Sequence, residues 1–192
     1  MNSEKLNIIL DLDNTILSAI PLEEFPWSED NKEKSTNFTI HNMEDYYIVF
    51  ERPYLQEFLD YIFEHFNVSI WSAASKNYVL FIIDKIIIGN KKNRKLNYIF
   101  FSYHCSLSKK LCNGGLKQLN MIWDIFRLDG FNKSNTFIVD DLEKVKKIQP
   151  CNCYNIKPFE FLDSGSENDK ELKKLMKHLE TLDLNGKCLI KQ

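Results

Sequence analysis

The sequence lacks the long apolar runs of a membrane protein. Its longest apolar-rich stretch, residues 79–88, is interrupted by Asp84 and Lys85. A membrane-spanning helix needs roughly 18 or more apolar residues, so none is predicted. The first residues also lack the apolar segment of a secretory signal. We therefore expect no membrane partner and a cytoplasmic or nuclear location.

An excess of charge of one sign is missing as well. The chain has 25 Lys and Arg against 27 Asp and Glu, a formal net charge of −2. No basic surface for nucleic acid is predicted, and we expect no direct nucleic-acid partner. Arginine is scarce, whereas Lys, Asn and Ile are abundant. This bias is typical of an AT-rich genome, and a protein encoded by a large DNA virus and acting in its host cell fits it, as does one from a protist.

Two catalytic motifs are absent. A cysteine phosphatase needs C-x₅-R, and no cysteine here is followed by Arg at that spacing. A P-loop needs Ser or Thr after its Gly-Lys pair, but Cys188 follows Gly186 and Lys187. These two enzyme classes are therefore excluded.

The five cysteines do not form a zinc-binding pattern. Cys151 and Cys153 are spaced C-x-C rather than C-x-x-C, and the total is odd. We predict reduced cysteines, as in an intracellular protein. A metal cluster that uses His104 and Cys105 stays open as an alternative.

Short apolar runs alternate with helical patterns along the chain. We predict strands at residues 6–10, 68–71, 98–101, 136–139 and 153–156, and helices at 53–66, 76–88, 116–126, 142–148 and 169–182. This alternation favours an α/β fold with a parallel sheet flanked by helices. Residues 38–40 and 46–50 predict a small β-hairpin insertion, while 19–36 and 102–115 are expected to be loop or irregular. A length of 192 residues suits one domain with a small insertion.

Acidic pairs follow two of the predicted strands. Asp11 and Asp13 come directly after the first strand, and Asp140 and Asp141 after the fourth. The carboxyl ends of parallel strands meet at one sheet edge, so these carboxylates are expected to converge. Carboxylates that converge need a cation, and oxygen ligands suit Mg²⁺. Taken singly, each pair could instead be an Asx-turn or a helix cap.

A hydroxyl and an ammonium group are expected at the same edge. Ser72 ends the second predicted strand, and Lys117 follows Gly114 and Gly115 and opens the predicted helix that precedes the fourth strand. Together with Mg²⁺ they would neutralise a phosphoryl group in transfer. Ser72 could equally be a helix N-cap, and most lysines are solvated surface charges.

The order of these motifs resembles the haloacid dehalogenase superfamily of aspartate-based phosphatases. D-L-D-N-T at residues 11–15, W-S-A-A-S at 71–75 and I-V-D-D at 138–141 carry the resemblance. The segment Y-Y-I-V-F-E-R-P-Y-L-Q-E-F-L at 46–59 is more narrowly similar to the FCP homology domain of RNA polymerase II CTD phosphatases. The end of the chain looks most like the branch that contains a ubiquitin-like domain. The resemblance implies a Rossmann-like fold, without a full cap domain, in a single phosphatase domain (residues 1–192, core about 6–183).

The resemblance also implies roles for individual residues. Asp11 would be the nucleophile and Asp13 the general acid and base. Mg²⁺ would be held by Asp11, the Asp13 carbonyl and Asp141, with Asp140 supporting through water or Lys117. The phosphate-binding set would be Ser72, Lys117 and Thr15.

The implied activity is that of an Mg²⁺-dependent protein serine/threonine phosphatase with an aspartyl-phosphate intermediate. Its partner would be a phosphoprotein, with the C-terminal repeats of RNA polymerase II as a candidate. Ser102 stands where many members carry Arg, which leaves specificity for those repeats open. The alternatives are a catalytically weak binding module on the same fold and a phosphatase for small phosphomonoesters. The short insertions, residues 16–50 and 84–115, favour an open site and a macromolecular substrate.

Overall fold

The computed structural model describes residues 5–112, 114, 116–182 and 188–191. Its larger sheet has five strands, all parallel, which confirms the α/β prediction. A second, antiparallel sheet has three strands. The strands in chain order are β1 (Asn7–Leu10), β2 (Leu17–Pro21), β3 (Ile40–Met43), β4 (Tyr47–Glu51), β5 (Asn67–Trp71), β6 (Leu96–Phe100), β7 (Thr136–Asp140) and β8 (Cys153–Asn155).

Helices connect several of these strands, and one follows the last of them. The helices are α1 (Glu29–Ser35), α2 (Leu55–His65), α3 (Lys76–Ile82), α4 (Ser102–Leu111), α5 (Glu143–Ile148) and α6 (Glu171–Leu179). A π-helical segment, Ile83–Ile88, continues α3, and a second lies at Met121–Ile125. No helix within the described ranges is long and apolar enough to cross a membrane.

The order of the larger sheet is β6-β5-β1-β7-β8, with β1 at its centre. The strand β1 is fully buried because helices cover both faces of the sheet, and its sequence is correspondingly apolar. Leu10, its last residue, lies opposite Ile70 of β5 and Val139 of β7. This register brings the residues that follow β1, β5 and β7 to the same edge of the sheet.

The small sheet is larger than the predicted hairpin. β3 and β4 pair as expected, but β2 adds a third strand on the other side of β4. The prediction of a loop over residues 19–36 is therefore wrong. Within it, α1 begins after Ser28, whose Oγ accepts a hydrogen bond from the Asn31 N–H. No residue of α1 is buried, and the helix accordingly has no apolar periodicity that would predict it.

Two further expectations along the chain are wrong. Residues 102–111 form α4 instead of an irregular segment, because the buried face of this helix is made of small residues, Cys105 and Ser108, rather than large apolar ones. The predicted helix at 116–126 does not begin at Leu116. Lys117 adopts a left-handed backbone, with φ of 51°, and a helical segment begins only at Met121.

The prediction of five reduced cysteines also needs correction. Cys151 and Cys188 form a disulfide across 37 residues, with their Cα atoms 4.6 Å apart. The Ile190 N–H donates to the Cys151 carbonyl, which holds the C-terminal segment beside β8. Pairing at this distance along the chain leaves no local pattern in the sequence.

The buried Arg52 ties the first acidic loop to the rest of the fold. Its guanidinium makes two hydrogen bonds with the carboxylate of Asp169, at 2.8 and 2.9 Å. It also donates to the carbonyl oxygens of Thr15, at 2.7 Å, and Lys157, at 2.9 Å. Burial alone would raise the pKa of Asp169. The hydrogen bonds and charge of Arg52 lower it by more than burial raises it, so the pKa lies below its usual value.

We expect Asp169→Asn to lower the free energy of unfolding by about 3 kcal/mol at pH 7, since Arg52 loses its buried counter-charge. A depressed pKa stabilises the fold above the unfolded-state pKa of about 4, and this contribution disappears as the pH falls through the folded-state pKa. Urea unfolding at neutral and at acid pH measures the difference. Asp163→Asn, an exposed change in the same segment, is the control. A difference between wild type and variant that is unchanged at acid pH would contradict the ion-pair explanation.

Candidate active site

Three carboxylates meet at the edge where β1 and β7 end. Asp11 follows β1, Asp140 is the last residue of β7, and Asp141 comes next. Each of the three offers an oxygen within 4.8 Å of the others. The sequence predicted that all four carboxylates converge. The structure brings these three together, but the Asp13 carboxylate is not part of the group, so the prediction is wrong for that residue.

Lys117 supplies the positive charge inside this cluster. Its Nζ lies 2.7 Å from an oxygen of Asp11 and 2.8 Å from an oxygen of Asp140. The side chain is only 1% exposed. Burial by itself lowers the pKa of Lys117, but the charges of Asp11 and Asp140 raise it above its ordinary value. The lysine is therefore a fixed cation that bridges two strand ends.

One ammonium group does not balance three carboxylates. Burial raises the pKa of Asp11 to about 8, aided by the charge of Asp140 and opposed by Lys117. Burial and the charge of Asp140 also raise the pKa of Asp141. A further cation would stabilise the ionised forms, and this set of hard oxygen donors fits Mg²⁺.

The two carboxylates after β7 have different surroundings. Both oxygens of Asp140 accept hydrogen bonds, one from Lys117 and one from the Leu142 N–H at 2.9 Å. Asp141 is half-buried, and the Thr15 hydroxyl lies 3.5 Å from one of its oxygens. Asp140 is thus suited to holding Lys117, and Asp141 to reaching a cation. Thr15, expected among the phosphate-binding residues, lies against Asp141.

Asp13 faces a different neighbour. Its carboxylate accepts a hydrogen bond from the hydroxyl of Tyr78 on α3. Burial raises the pKa of Asp13, while this hydrogen bond and the charge of Lys117 oppose the rise. A carboxyl group with a raised pKa is suited to donating a proton. Sequence reasoning missed Tyr78, because it belongs to an apolar helical stretch typical of a core.

Ser72 follows β5 directly and lies two residues beyond Ile70, the partner of Leu10, at the same edge of the sheet as Asp11. It is fully buried, and its Oγ accepts a hydrogen bond from the Ala74 N–H at 3.0 Å. Ser72 therefore lies at the sheet edge, as expected, but the N-cap of α3 is Ser75, whose Oγ accepts a hydrogen bond from the Tyr78 N–H. The interpretation of Ser72 as a helix N-cap is wrong, and its role in phosphate binding stays a prediction.

The alternative metal site at His104 and Cys105 finds no support in the structure. His104 Nδ1 accepts from the Phe101 N–H, and the Cys105 thiol points to the Ser72 carbonyl. Among the described residues, the acidic cluster of Asp11, Asp140 and Asp141 is the group that could hold a metal ion.

A groove of about 350 Å³ opens beside Asp13. Tyr46 in the turn between β3 and β4, Tyr47 of β4 and Tyr78 of α3 line it, and the rings of Tyr47 and Tyr78 pack edge to face with their centroids 5.5 Å apart. Tyr46 is 68% exposed, so its ring is available to a bound chain. Tyr103, which the sequence suggested for the same rim, lies on α4 and is not among the residues that line this groove.

Comparison with known proteins identifies the family. Residues 6–188 match the family model of the NLI interacting factor-like phosphatases. The chain belongs to this family, and it is a phosphatase whose acidic cluster lies at the carboxyl edge of a parallel sheet. The predicted membership is thereby confirmed.

Two relatives show how far the similarity extends. The CTD phosphatase-like protein 355R of Invertebrate iridescent virus 6 is 48% identical over 171 residues, which cover 88% of this chain and 94% of that protein. The ubiquitin-like domain-containing CTD phosphatase 1 of Homo sapiens is 30% identical over 146 residues, which cover 71% of this chain and 45% of that protein. The expected likeness to the ubiquitin-like-domain branch is therefore confirmed.

The fold also matches a solved structure. The fission yeast RNA polymerase II CTD phosphatase Fcp1, determined with beryllium fluoride bound, aligns with a TM-score of 0.59 and 21% identity. The alignment covers 90% of this chain and 49% of that one, so this chain spans about half of it. The likeness confirms the haloacid dehalogenase-like fold.

Proposed function

We propose that this phosphatase is a Mg²⁺-dependent protein serine/threonine phosphatase that acts through an aspartyl-phosphate on Asp11. The observation that carries the proposal is the position of Lys117 Nζ, 2.7 Å from Asp11 and 2.8 Å from Asp140, beside Asp141. This arrangement fixes a nucleophilic carboxylate next to positive charge where a phosphoryl group would be transferred.

In the first step, an oxygen of Asp11 attacks phosphorus and the serine or threonine oxygen leaves. Asp13 donates a proton to that oxygen, so a neutral hydroxyl group departs. Lys117 and Ser72 contact the phosphoryl oxygens. Mg²⁺ held by Asp11, the Asp13 carbonyl and Asp141 would supply further positive charge to the phosphoryl group during its transfer.

In the second step, water attacks the phosphorus of the aspartyl-phosphate. The ionised Asp13 now takes a proton from this water, and the bond between phosphorus and Asp11 breaks. Inorganic phosphate leaves, and both carboxyl groups return to their starting forms. Asp140 takes part by holding Lys117, with which it forms a buried ion pair.

The groove beside Asp13 favours an extended phosphopeptide over a small phosphomonoester. It offers the exposed ring of Tyr46 and the part-buried ring of Tyr47 to residues that flank the phosphoamino acid. The names of the viral and cellular relatives make the RNA polymerase II C-terminal repeats the first substrate to test. The similarity to iridescent virus proteins favours a virus-encoded enzyme that acts on phosphoproteins of its host cell.

A substrate panel with wild type and Asp13→Asn tests this proposal. We expect kcat/KM for a phosphoserine peptide to exceed that for free phosphoserine by ~10²-fold, because flanking residues bind the groove. Asp13→Asn should lower kcat/KM for the peptide by ~10²–10⁴, since the serine oxygen then leaves without a proton. In the same variant, kcat/KM for p-nitrophenyl phosphate should fall less, because its leaving group is a weaker base and needs less help from a proton.

Asp129→Asn, an exposed substitution of the same chemistry, is the matched control for this panel. A nucleotide monophosphate preferred over every phosphopeptide would overturn the protein-phosphatase assignment and favour small phosphomonoesters. A wild-type protein that binds phosphopeptides with Mg²⁺ but does not turn them over would favour a binding module on the same fold.

A further inference from the structure

The main chain around Lys117 is bridged by a side chain from elsewhere in the sequence. Gln149 lies directly after α5, and its Nε2 donates to the Lys117 carbonyl at 3.0 Å. Its Oε1 accepts from the Leu119 N–H at 2.9 Å. One amide group therefore satisfies a carbonyl and an N–H of the turn that presents Lys117.

This turn needs such support. Lys117 has a φ of 51°, a conformation that is unfavourable for a residue with a Cβ atom. A backbone held in this region persists only where its surroundings determine it. The other side of the turn is tied to α4, since the Gln118 N–H donates to Ser108 Oγ at 3.0 Å. Gln149 provides the second anchor.

Residues 140–149 bind Lys117 at two points, its ammonium group and its main-chain carbonyl. Asp140, at the end of β7, accepts from the ammonium group, and Gln149, at the end of the following helix α5, binds the main chain. A shift of about 1 Å in a charged group at a reacting centre costs up to about 10²-fold in rate. The bridge therefore controls where Nζ lies relative to Asp11.

We propose that Gln149 is a positioning residue of this phosphatase: its amide fixes the Lys117 turn and so places the ammonium between Asp11 and Asp140. Gln149 itself contacts neither the carboxylates nor a substrate in this assignment. The consequence for catalysis rests on the proposed function, whereas the placement of Lys117 can be measured without it.

Gln149→Met tests the proposal, because Met keeps the length of the side chain and removes both hydrogen bonds. We expect kcat for p-nitrophenyl phosphate to fall by about 10–100-fold while KM changes by less than about threefold. Lys117, buried in the wild type, should become open to reductive methylation, which mass spectrometry detects at this residue. Hydrogen exchange at the Leu119 amide should speed up by at least about tenfold, while the exchange rates of the amides in β7 stay unchanged.

Asn152→Ala is the matched control. Asn152 Nδ2 also bridges two carbonyls, those of Lys133 and Thr136, at 2.7 Å each, but its side chain has no bond to the Lys117 turn. The Asn152 main-chain N–H donates to the Gln149 carbonyl, and the substitution keeps this N–H. This variant should lower the melting temperature and leave kcat and the protection of Lys117 unchanged. A merely structural role for Gln149 would give the two variants the same behaviour.

The outcomes separate this proposal from the proposed function. If Gln149→Met leaves Lys117 protected and the Leu119 amide slow to exchange, the positioning role is wrong, whatever the activity of the wild type. If Lys117 becomes reactive but the wild type hydrolyses no phosphomonoester with Mg²⁺, the positioning role stands and the proposed function fails. Full kcat in a variant whose Lys117 is exposed would remove the link between the turn and catalysis.

Discussion

Asp11→Asn is expected to lower kcat by at least ~10³-fold with an unchanged or higher melting temperature. An amide cannot form the acyl-phosphate bond, so the covalent route is lost altogether. The fold should tolerate the change because burial already raises the pKa of Asp11 to about 8, which means that its charge is costly there. Steady-state assays with a phosphopeptide and thermal unfolding measure the two effects.

Asp124→Asn, an exposed change on the same molecule, should behave as wild type and is the control for this variant. Activity of Asp11→Asn within about tenfold of wild type, in a protein with normal melting behaviour, would remove Asp11 from the nucleophilic role.

Removal of divalent cations is expected to have an effect of similar size. EDTA should stop turnover and Mg²⁺ should restore it, because Asp11, Asp140 and Asp141 carry more negative charge than Lys117 can balance. Binding of Mg²⁺ to the folded state should also raise the melting temperature of the wild type. Asp141→Asn should lose most of this rise.

Asp45→Asn, at the exposed turn between β3 and β4, should keep the Mg²⁺-dependent rise in melting temperature. Activity that survives exhaustive EDTA treatment would contradict the metal dependence. So would an active metal that proves to be zinc bound through Cys105.

The residues at the strand ends could be predicted from the sequence because their placement depends only on the neighbouring residues along the chain. Each short apolar run forms a buried parallel strand, and the polar residue that follows it is placed at the edge of the sheet. Asp11, Ser72 and Asp140 therefore lie where the pattern indicates. What the pattern could not distinguish is which carboxylate holds Lys117 and which reaches a cation.

Features that depend on contacts between distant residues could not be predicted. Gln149 and Lys117 are 32 residues apart, and nothing near either one marks an amide that bridges a turn. Tyr78 is hidden in an apolar helix, since its ring is buried and only its hydroxyl reaches Asp13. The helix α4 was missed because Cys105 and Ser108 do not produce an apolar stripe of the usual kind.

Trapping the covalent intermediate shows which residue of the enzyme attacks phosphorus. A phosphopeptide is mixed with the enzyme and Mg²⁺, the reaction is stopped in acid within one turnover, and borohydride is added. Borohydride reduces an acyl phosphate to an alcohol, so a phosphorylated Asp11 becomes homoserine and can be located by mass spectrometry. We predict homoserine at position 11, formed only with substrate and absent from Asp11→Asn. Phosphate found on a cysteine or histidine, or homoserine at position 13, 140 or 141 instead, would contradict the assignment of Asp11 as the nucleophile.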